Sequence, residues 1–228
     1  MSKPLIVLRP EPGQTATLVA AFKLGMKATG MPLCTVAPVE WKAPAKTFDG
    51  VLLGSANAIR HAGAELDKIV HLPVLCVGEA TARLARDAGM TVELAGSGGL
   101  QAVIDQLDSD SRHLLRLAGE IHLPLETLET LMIDTCVTYR TQYIPLSQRQ
   151  AKLLANGANV LLHSGEMAEH FGAQCDAHGL DRGLFDCAAM APRIAERAGE
   201  GWGSIVVADD PSDASLLAAA RALCDKTP

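Results

Sequence analysis

Aromatic side chains make up only 4% of the 228 residues, too few for an aromatic-rich β-sandwich and suited to an interior packed with alanine and leucine. No apolar run approaches the ~20 residues that a membrane-spanning helix needs. Met1-Ser2-Lys3-Pro4-Leu5 leads straight into a strand rather than into the apolar region of a signal peptide, so a cytoplasmic protein with no membrane contact is expected. Clusters of Lys and Arg are missing, and the formal charge of −6 argues against general affinity for nucleic acid. No CxxC occurs among the six cysteines, Cys34, Cys76, Cys136, Cys175, Cys187 and Cys224. Scattered through apolar segments, they read as reduced, buried thiols.

The familiar nucleotide motifs are absent too. Gly96-Ser97-Gly98-Gly99 has neither the third glycine of a dinucleotide fingerprint nor the lysine of a P-loop. Neither Ser55 nor Ser164 stands in a GxSxG elbow, which weakens a hydrolase triad. His170, Cys175 and His178 fall on helical positions that do not converge on a metal. His163 beside Ser164 is a possible general base, but alternation along a strand sends neighbours to opposite faces. No metal and no organic cofactor is expected.

What is present is a recurring turn. Val51-Leu52-Leu53-Gly54-Ser55-Ala56-Asn57-Ala58-Ile59-Arg60 runs from apolar strand through Gly-Ser into a helix start, and Val160-Leu161-Leu162-His163-Ser164-Gly165-Glu166-Met167-Ala168-Glu169 repeats that grammar almost half a chain later. An internal pseudo-repeat is expected. In such a turn the serine caps the helix, and the first free N–H groups gather at the carboxyl end of the strand. Helix dipole and unpaired amides together favour a carboxylate or phosphate there. A plain N-cap is the competing reading.

With 48% hydrophobic and 20% charged residues, the chain is globular and long enough for one large domain or two small ones. Leu5 to Leu8 reads as a strand ended by Arg9-Pro10-Glu11-Pro12-Gly13, and a helix follows with Leu18, Ala21, Phe22, Gly25 and Met26 on one face up to Gly30. Leu33 to Val39 is the next strand, leading to Trp41 and Pro44. After Ser55, the positions Ala58, Ile59, Ala62 and Leu66 form an apolar helix face. Val74 to Val77 and Thr91 to Leu94 are strands, each running through glycine into a helix, the second helix reaching Leu107.

The later half opens with Leu114-Leu115-Arg116-Leu117, which places an arginine near a strand end as Val7-Leu8-Arg9 does. A helix is expected from Leu125 to Met132, then an alternating β segment from Cys136 to Thr141. The turn at Ser164 follows, then a strand from Phe185 to Met190, a helix opened by Ala191-Pro192, a strand from Ile205 to Ala208, and a final helix capped at Pro211-Ser212-Asp213. Each half thus reads β-α-β-β-α-β-α-β-α, the alternation of parallel sheets.

The ordered set Val7-Leu8-Arg9-Pro10, Leu53-Gly54-Ser55-Ala56-Asn57-Ala58, Val77-Gly78-Glu79-Ala80-Thr81-Ala82, Gly98-Gly99-Leu100, Leu115-Arg116, Val137-Thr138-Tyr139-Arg140-Thr141 and Leu161 to Ser164 resembles the uroporphyrinogen-III synthase family over nearly the whole chain. That resemblance implies an α/β fold of two Rossmann-like or flavodoxin-like parallel-sheet domains joined by a two-stranded β connector, with the first βα unit docked on the C-terminal half. One domain would be residues 1–36 with 144–228, the other 37–143 including the connector strands. It also implies a reaction: a lyase that closes the linear tetrapyrrole hydroxymethylbilane, inverting its last ring through loss of water and a spiro intermediate. Handover of that substrate from hydroxymethylbilane synthase would follow. Monomer is the expected state.

Carried over residue by residue, the resemblance makes Tyr139 the catalytic candidate, donating a proton to the departing hydroxyl. A cross-strand packing role for Tyr139 stays open. The implied substrate-binding residues are Arg9, Gly54, Ser55, Ala56, Asn57, Gly78, Thr81, Arg116, Ser164, Gly165 and Arg193, and Arg140 could add a further charge. For Thr81 a first-turn hydrogen bond is the alternative. The chain departs from the family where Ala191-Pro192-Arg193-Ile194-Ala195 lacks two threonines, leaving Arg193 as a possible carboxylate partner. Gly54 and His163 stand where a threonine or serine is usual. Two other readings remain: a non-catalytic binder of an acidic small molecule, which would retain ligand without turnover, and a regulatory or interaction protein, which would expose an apolar patch.

Overall fold

The computed structural model describes residues 3–107, 111–127 and 129–224, with the side chain of Cys224 outside the described set. In chain order the elements are β1 (Leu5–Val7), α1 (Gly13–Lys23), β2 (Ala28–Gly30), β3 (Cys34–Pro38), β4 (Gly50–Leu53), α2 (Ala56–Arg60), β5 (Val74–Val77), α3 (Glu79–Asp87), β6 (Val92–Gly96) and α4 (Leu100–Ile104). They continue with β7 (Arg112–Gly119), β8 (Leu131–Tyr143), α5 (Gln148–Leu154), β9 (Asn159–Leu162), α6 (Gly165–Ala177), β10 (Asp186–Ala189), α7 (Pro192–Ala198), β11 (Ser204–Val207) and α8 (Asp213–Cys224). The fold is mixed α/β with parallel sheets, as the alternation of apolar strands and helices requires. Two compact units form, residues 1–35 with 142–228 and residues 36–141, and the chain passes between them within β3 and within β8.

The first unit carries a five-stranded sheet in the order β11-β10-β9-β1-β2, every pairing in it parallel. The first βα unit of the chain therefore completes the sheet of the C-terminal segment. β1 and β9 are short and wholly buried, as strands covered on both faces must be. On one face Phe171 stacks on Trp202 with ring centroids 5.5 Å apart and meets Phe185 edge-on at 5.5 Å. On the other, Leu216, Leu217 and Ala220 of α8 pack against Leu5, Val7 and Leu161.

The second unit carries a six-stranded sheet in the order β3-β8-β7-β4-β5-β6. The pairs between β4, β5, β6, β7 and β8 are parallel. Val51, Leu53, Val74, Cys76, Leu115 and Leu117 face one core with Ala58, Ile59 and Leu66 beside them, and Ala62 is buried as well. Leu52, Leu75 and Leu114 face another, beneath Val103 and Ile104 of α4.

Three expectations are corrected. No helix spans Leu125 to Met132: residues 125–127 lie in irregular chain, Leu128 is outside the described residues, and β8 has begun at Leu131. The apolar spacing there is decided by pairing with β7, where Leu131 sits opposite Arg112. The first helix stops at Lys23 and leaves Phe22 81% exposed, while Thr17 and Ala21 are the residues it buries. Ala28–Gly30, placed at the tail of that helix, is instead a strand alongside β1. The order in the first half is therefore β-α-β-β-β-α-β-α-β-α, and the later half begins β-β-α.

Cys34, Cys76, Cys175 and Cys187 are free and buried, and Cys136 is free and half-buried. Burial pushes the Cys175 thiol up to about 12. Among the described residues no helix is long and apolar enough to cross a membrane, and no group of three or more His, Cys, Asp or Glu side chains is arranged to hold a metal.

Candidate functional site

Each unit gathers its singled-out residues at the carboxyl ends of neighbouring parallel strands, where open α/β sheets bind ligands. In the second unit, Leu53 is level with Cys76 of β5 and Leu117 of β7. The segments that follow β4 and β5, Gly54-Ser55-Ala56-Asn57 and Gly78 with α3, therefore share one edge with Gly119, the last residue of β7. Ser55 has extended backbone (φ −154°, ψ 141°), and its hydroxyl accepts from the Asn57 N–H at 3.2 Å. Asn57 in turn accepts from Arg60 Nη1 at 2.9 Å. Gly78 starts α3 at φ 79°, left-handed backbone that a side chain would strain. Thr81, buried, lies in the first turn of α3.

Tyr139 stands on β8 opposite Gly119 of β7. Its ring lies over that glycine so closely that a Cβ on Gly119 would come within 2.7 Å of Tyr139 Cζ. His61, in the turn after α2, has its ring centroid 6.3 Å from that of Tyr139. Burial, with the neighbouring charge of Arg60, holds the His61 imidazole below its usual range. Arg116, buried, sits three residues before the end of β7, with its Nη1 donating to the Leu123 carbonyl at 2.9 Å.

In the first unit the corresponding edge follows β1, β9 and β10, adjacent in the sheet. Ser164 repeats the geometry of Ser55 (φ −147°, ψ 152°), accepting from the Met167 N–H at 3.3 Å to cap the thirteen-residue α6. Gly165 opens that helix, packed where a Cβ would meet the Arg197 side chain, which is held by Glu166 and Glu169. Arg193 is exposed in the first turn of α7, whose N-cap Ala191 has no side-chain cap and is followed by Pro192.

Arg9 follows β1 and does not project freely. Its Nη1 donates to Asp213 Oδ1 at 3.0 Å, and Thr17 Oγ1 lies 3.1 Å from Asp213 Oδ2. His163 Nε2 approaches Asp213 Oδ1 at 3.2 Å. Desolvation would raise the Asp213 carboxyl, but the His163 hydrogen bond and the Arg9 charge win and hold it below the usual carboxylate range. Burial, helped by Arg9, pushes His163 down, against the pull of Asp213. At neutral pH the pair is thus a carboxylate and a neutral imidazole donating through Nε2.

Arg9 and His163 are visible singly in the sequence, but no local pattern joins them to Thr17 and Asp213, which lie far apart in the chain. The alternation of β9 carries into the turn: His163 lies with Leu161 on the side of α1 and α8, against Thr17 and Asp213, while Ser164 caps α6 on the side of Leu162. Gly119, His61 and the loop over Arg116 carry no local signal either. Chemically, the two edges offer helix-start N–H groups, hydroxyls and guanidinium groups, a donor set for carboxylates rather than for a metal.

A family model, uroporphyrinogen-III synthase HemD, matches residues 16–218. Among solved structures, the chain is similar to uroporphyrinogen-III synthetase from Helicobacter pylori 26695, at 12% identity and a TM-score of 0.61, covering 97% of this chain and 99% of that one. It is similar also to a mutant uroporphyrinogen III synthase from the extremely thermophilic bacterium Thermus thermophilus, at 17% identity and a TM-score of 0.54, covering 98% and 100%. At such identities the structures speak to the fold. No curated protein matches the chain.

Proposed function

The chain belongs to the uroporphyrinogen-III synthase family, the cyclising lyases of tetrapyrrole biosynthesis, and on that premise we propose how its residues divide the work. The substrate is hydroxymethylbilane and the product uroporphyrinogen III, formed by loss of water and inversion of the last ring. The match over residues 16–218 carries this reading.

Catalysis here rests on folding a flexible chain so that its ends meet, which can supply much of the barrier reduction without a strong acid or base. Helix starts at Ser55, Gly78 and Ser164 offer backbone N–H groups to the substrate carboxylates, and Gly54, Ala56, Asn57, Thr81 and Gly165 shape those starts. Arg193, exposed beside its helix start, supplies a charge-assisted bond. Arg9 contributes through the network with Asp213, and Arg116 from beneath its loop. Tyr139 donates the proton that lets the hydroxyl leave as water, and its tight seat over Gly119 supports a fixed donor position.

The domains divide as residues 1–36 with 144–228 and residues 37–143, a reading supported by the two compact units, with β3 and β8 as the two-stranded connector and the Ser55 and Ser164 turns as matching points of a pseudo-repeat. The protein works as a cytoplasmic monomer that receives its unstable substrate from hydroxymethylbilane synthase.

The test is to generate hydroxymethylbilane in situ, add the protein, oxidise the products and separate uroporphyrin isomers I and III. Isomer III above the spontaneous background is the expected result. Isomer I alone, from folded protein, would overturn the reading.

A further inference from the structure

Arg116 is the only charged residue buried among the described residues, at 7% exposure. Its Nη1 reaches the Leu123 carbonyl, but its Nε is buried with no partner among the described residues. Among the described residues no carboxylate is paired with it: desolvation pushes its pKa down, and the one charge effect opposing this comes from Tyr139. A guanidinium in that position is costly unless an anion completes it.

The space beside it is built for such a partner. A cavity of about 370 Å³ is lined by Arg116, His122, Pro124, Leu125, Thr127, Ile133 and Thr135. Arg116 and Thr135 are direct cross-strand neighbours, so their side chains rise from the same face of the sheet. The covering segment is pinned from α4, where Gln101 both accepts from the Glu126 N–H and donates to the Glu126 carbonyl, each at 3.0 Å. His122 turns its Nδ1 to the Gly119 carbonyl at 2.7 Å. The walls thus offer one cation, two hydroxyls and three apolar side chains.

We propose that this cavity is a subsite for a single short-chain carboxylate, its oxygens meeting Arg116 and the hydroxyls of Thr127 and Thr135 and its methylene stem lying along Pro124, Leu125 and Ile133. One guanidinium balances one carboxylate, whereas a phosphate dianion would keep an unpaired charge, and it has no stem for the apolar wall. The carboxylate is either an arm of the tetrapyrrole substrate, in which case the subsite rests on the proposed function, or a free small acid.

The experiment titrates the full-length protein with propionate at constant ionic strength, following heat of binding and melting temperature, with propionamide and inorganic phosphate as comparison probes. Propionate is expected to saturate and propionamide to do nothing. Arg116→Met, which keeps the length and removes the buried charge, should weaken propionate by roughly ten-fold or more, and Thr135→Val, on the rim, by roughly three-fold. Equal propionate titration by Arg116→Met, an equal response to propionamide, or tighter binding of phosphate would each overturn the assignment. If propionate binding is lost in Arg116→Met and its KM for hydroxymethylbilane rises, the arm belongs to the substrate. If binding is lost at unchanged KM, the subsite takes a free acid. Should the unsubstituted protein bind propionate through Arg116 yet form no isomer III, the subsite stands and the reaction reading falls.

Discussion

His163 Nε2 lies 3.2 Å from Asp213 Oδ1, the first residue following β9 in a turn meeting the first residue of α8 fifty positions later in the chain. Burial and the nearby Arg9 hold the imidazole below its ordinary range, so the folded protein resists a proton that the unfolded chain accepts. Stability is therefore flat above the ordinary histidine range and falls as pH drops through it. His61, pushed the same way by burial and Arg60, adds to that loss. The depressed Asp213 acts only at lower pH, its contribution disappearing below the ordinary carboxylate range. His163→Gln should reduce the fall in urea midpoint between pH 8 and pH 5 without abolishing it. An unchanged slope would show that His163 does not carry the effect.

Gly119→Ala is the cleanest way to move Tyr139 without removing it. The new Cβ would fall 2.7 Å from Tyr139 Cζ, and a ring seated on a sheet cannot yield as a flexible side-chain end would. Overpacking of this kind costs about 1–3 kcal/mol. The expected outcome is a lower melting temperature together with a kcat for isomer III reduced nearly as far as in Tyr139→Phe. A destabilised variant with full kcat would separate the ring's position from the chemistry.

The parts of this fold legible in sequence are those set by local pattern. Val51-Leu52-Leu53 and Val74-Leu75-Cys76 are runs that only a strand covered on both faces would use, and both are wholly buried. Ser55 and Ser164 are readable as caps because capping is a three-residue event. Ala28–Gly30 is unreadable, since a small residue, a threonine and a glycine form a strand only because β1 supplies partners. Leu125 and Met132 carry helical spacing, yet pairing with β7 decides the conformation from Leu131 onwards. At the site, the same limit hides the partners of Arg9 and the cover over Arg116: an arginine near a strand end is visible, but what folds back over it is not.

Removing the cap hydroxyls tests structure and binding separately. Ser55→Ala and Ser164→Ala should each cost about 1 kcal/mol, and the corresponding glycine variants only a few tenths, because glycine is a tolerable N-cap. Ser164 should be the more sensitive position, since α6 commits Met167, Ala168, Phe171 and Cys175 to the core, whereas α2 has five residues. If the hydroxyls also hold substrate, the glycine variants will melt normally and still show raised KM for hydroxymethylbilane. Normal KM in both would leave the serines as caps alone.

Two tryptophans make the units separately observable, since Trp202 packs on Phe171 in the first unit while Trp41 donates to the Ala62 carbonyl at 2.7 Å in the second. Phe171→Ala removes a fully buried ring between Trp202 and Phe185 and should cost about 3–5 kcal/mol. Measured by fluorescence in backgrounds where the other tryptophan is replaced by phenylalanine, the urea midpoint reported by Trp202 should fall steeply. The two units have separate cores, so the midpoint reported by Trp41 should move much less. Equal shifts at both tryptophans would mean that the units unfold as one cooperative block, with the strands β3 and β8 that run through both transmitting the loss.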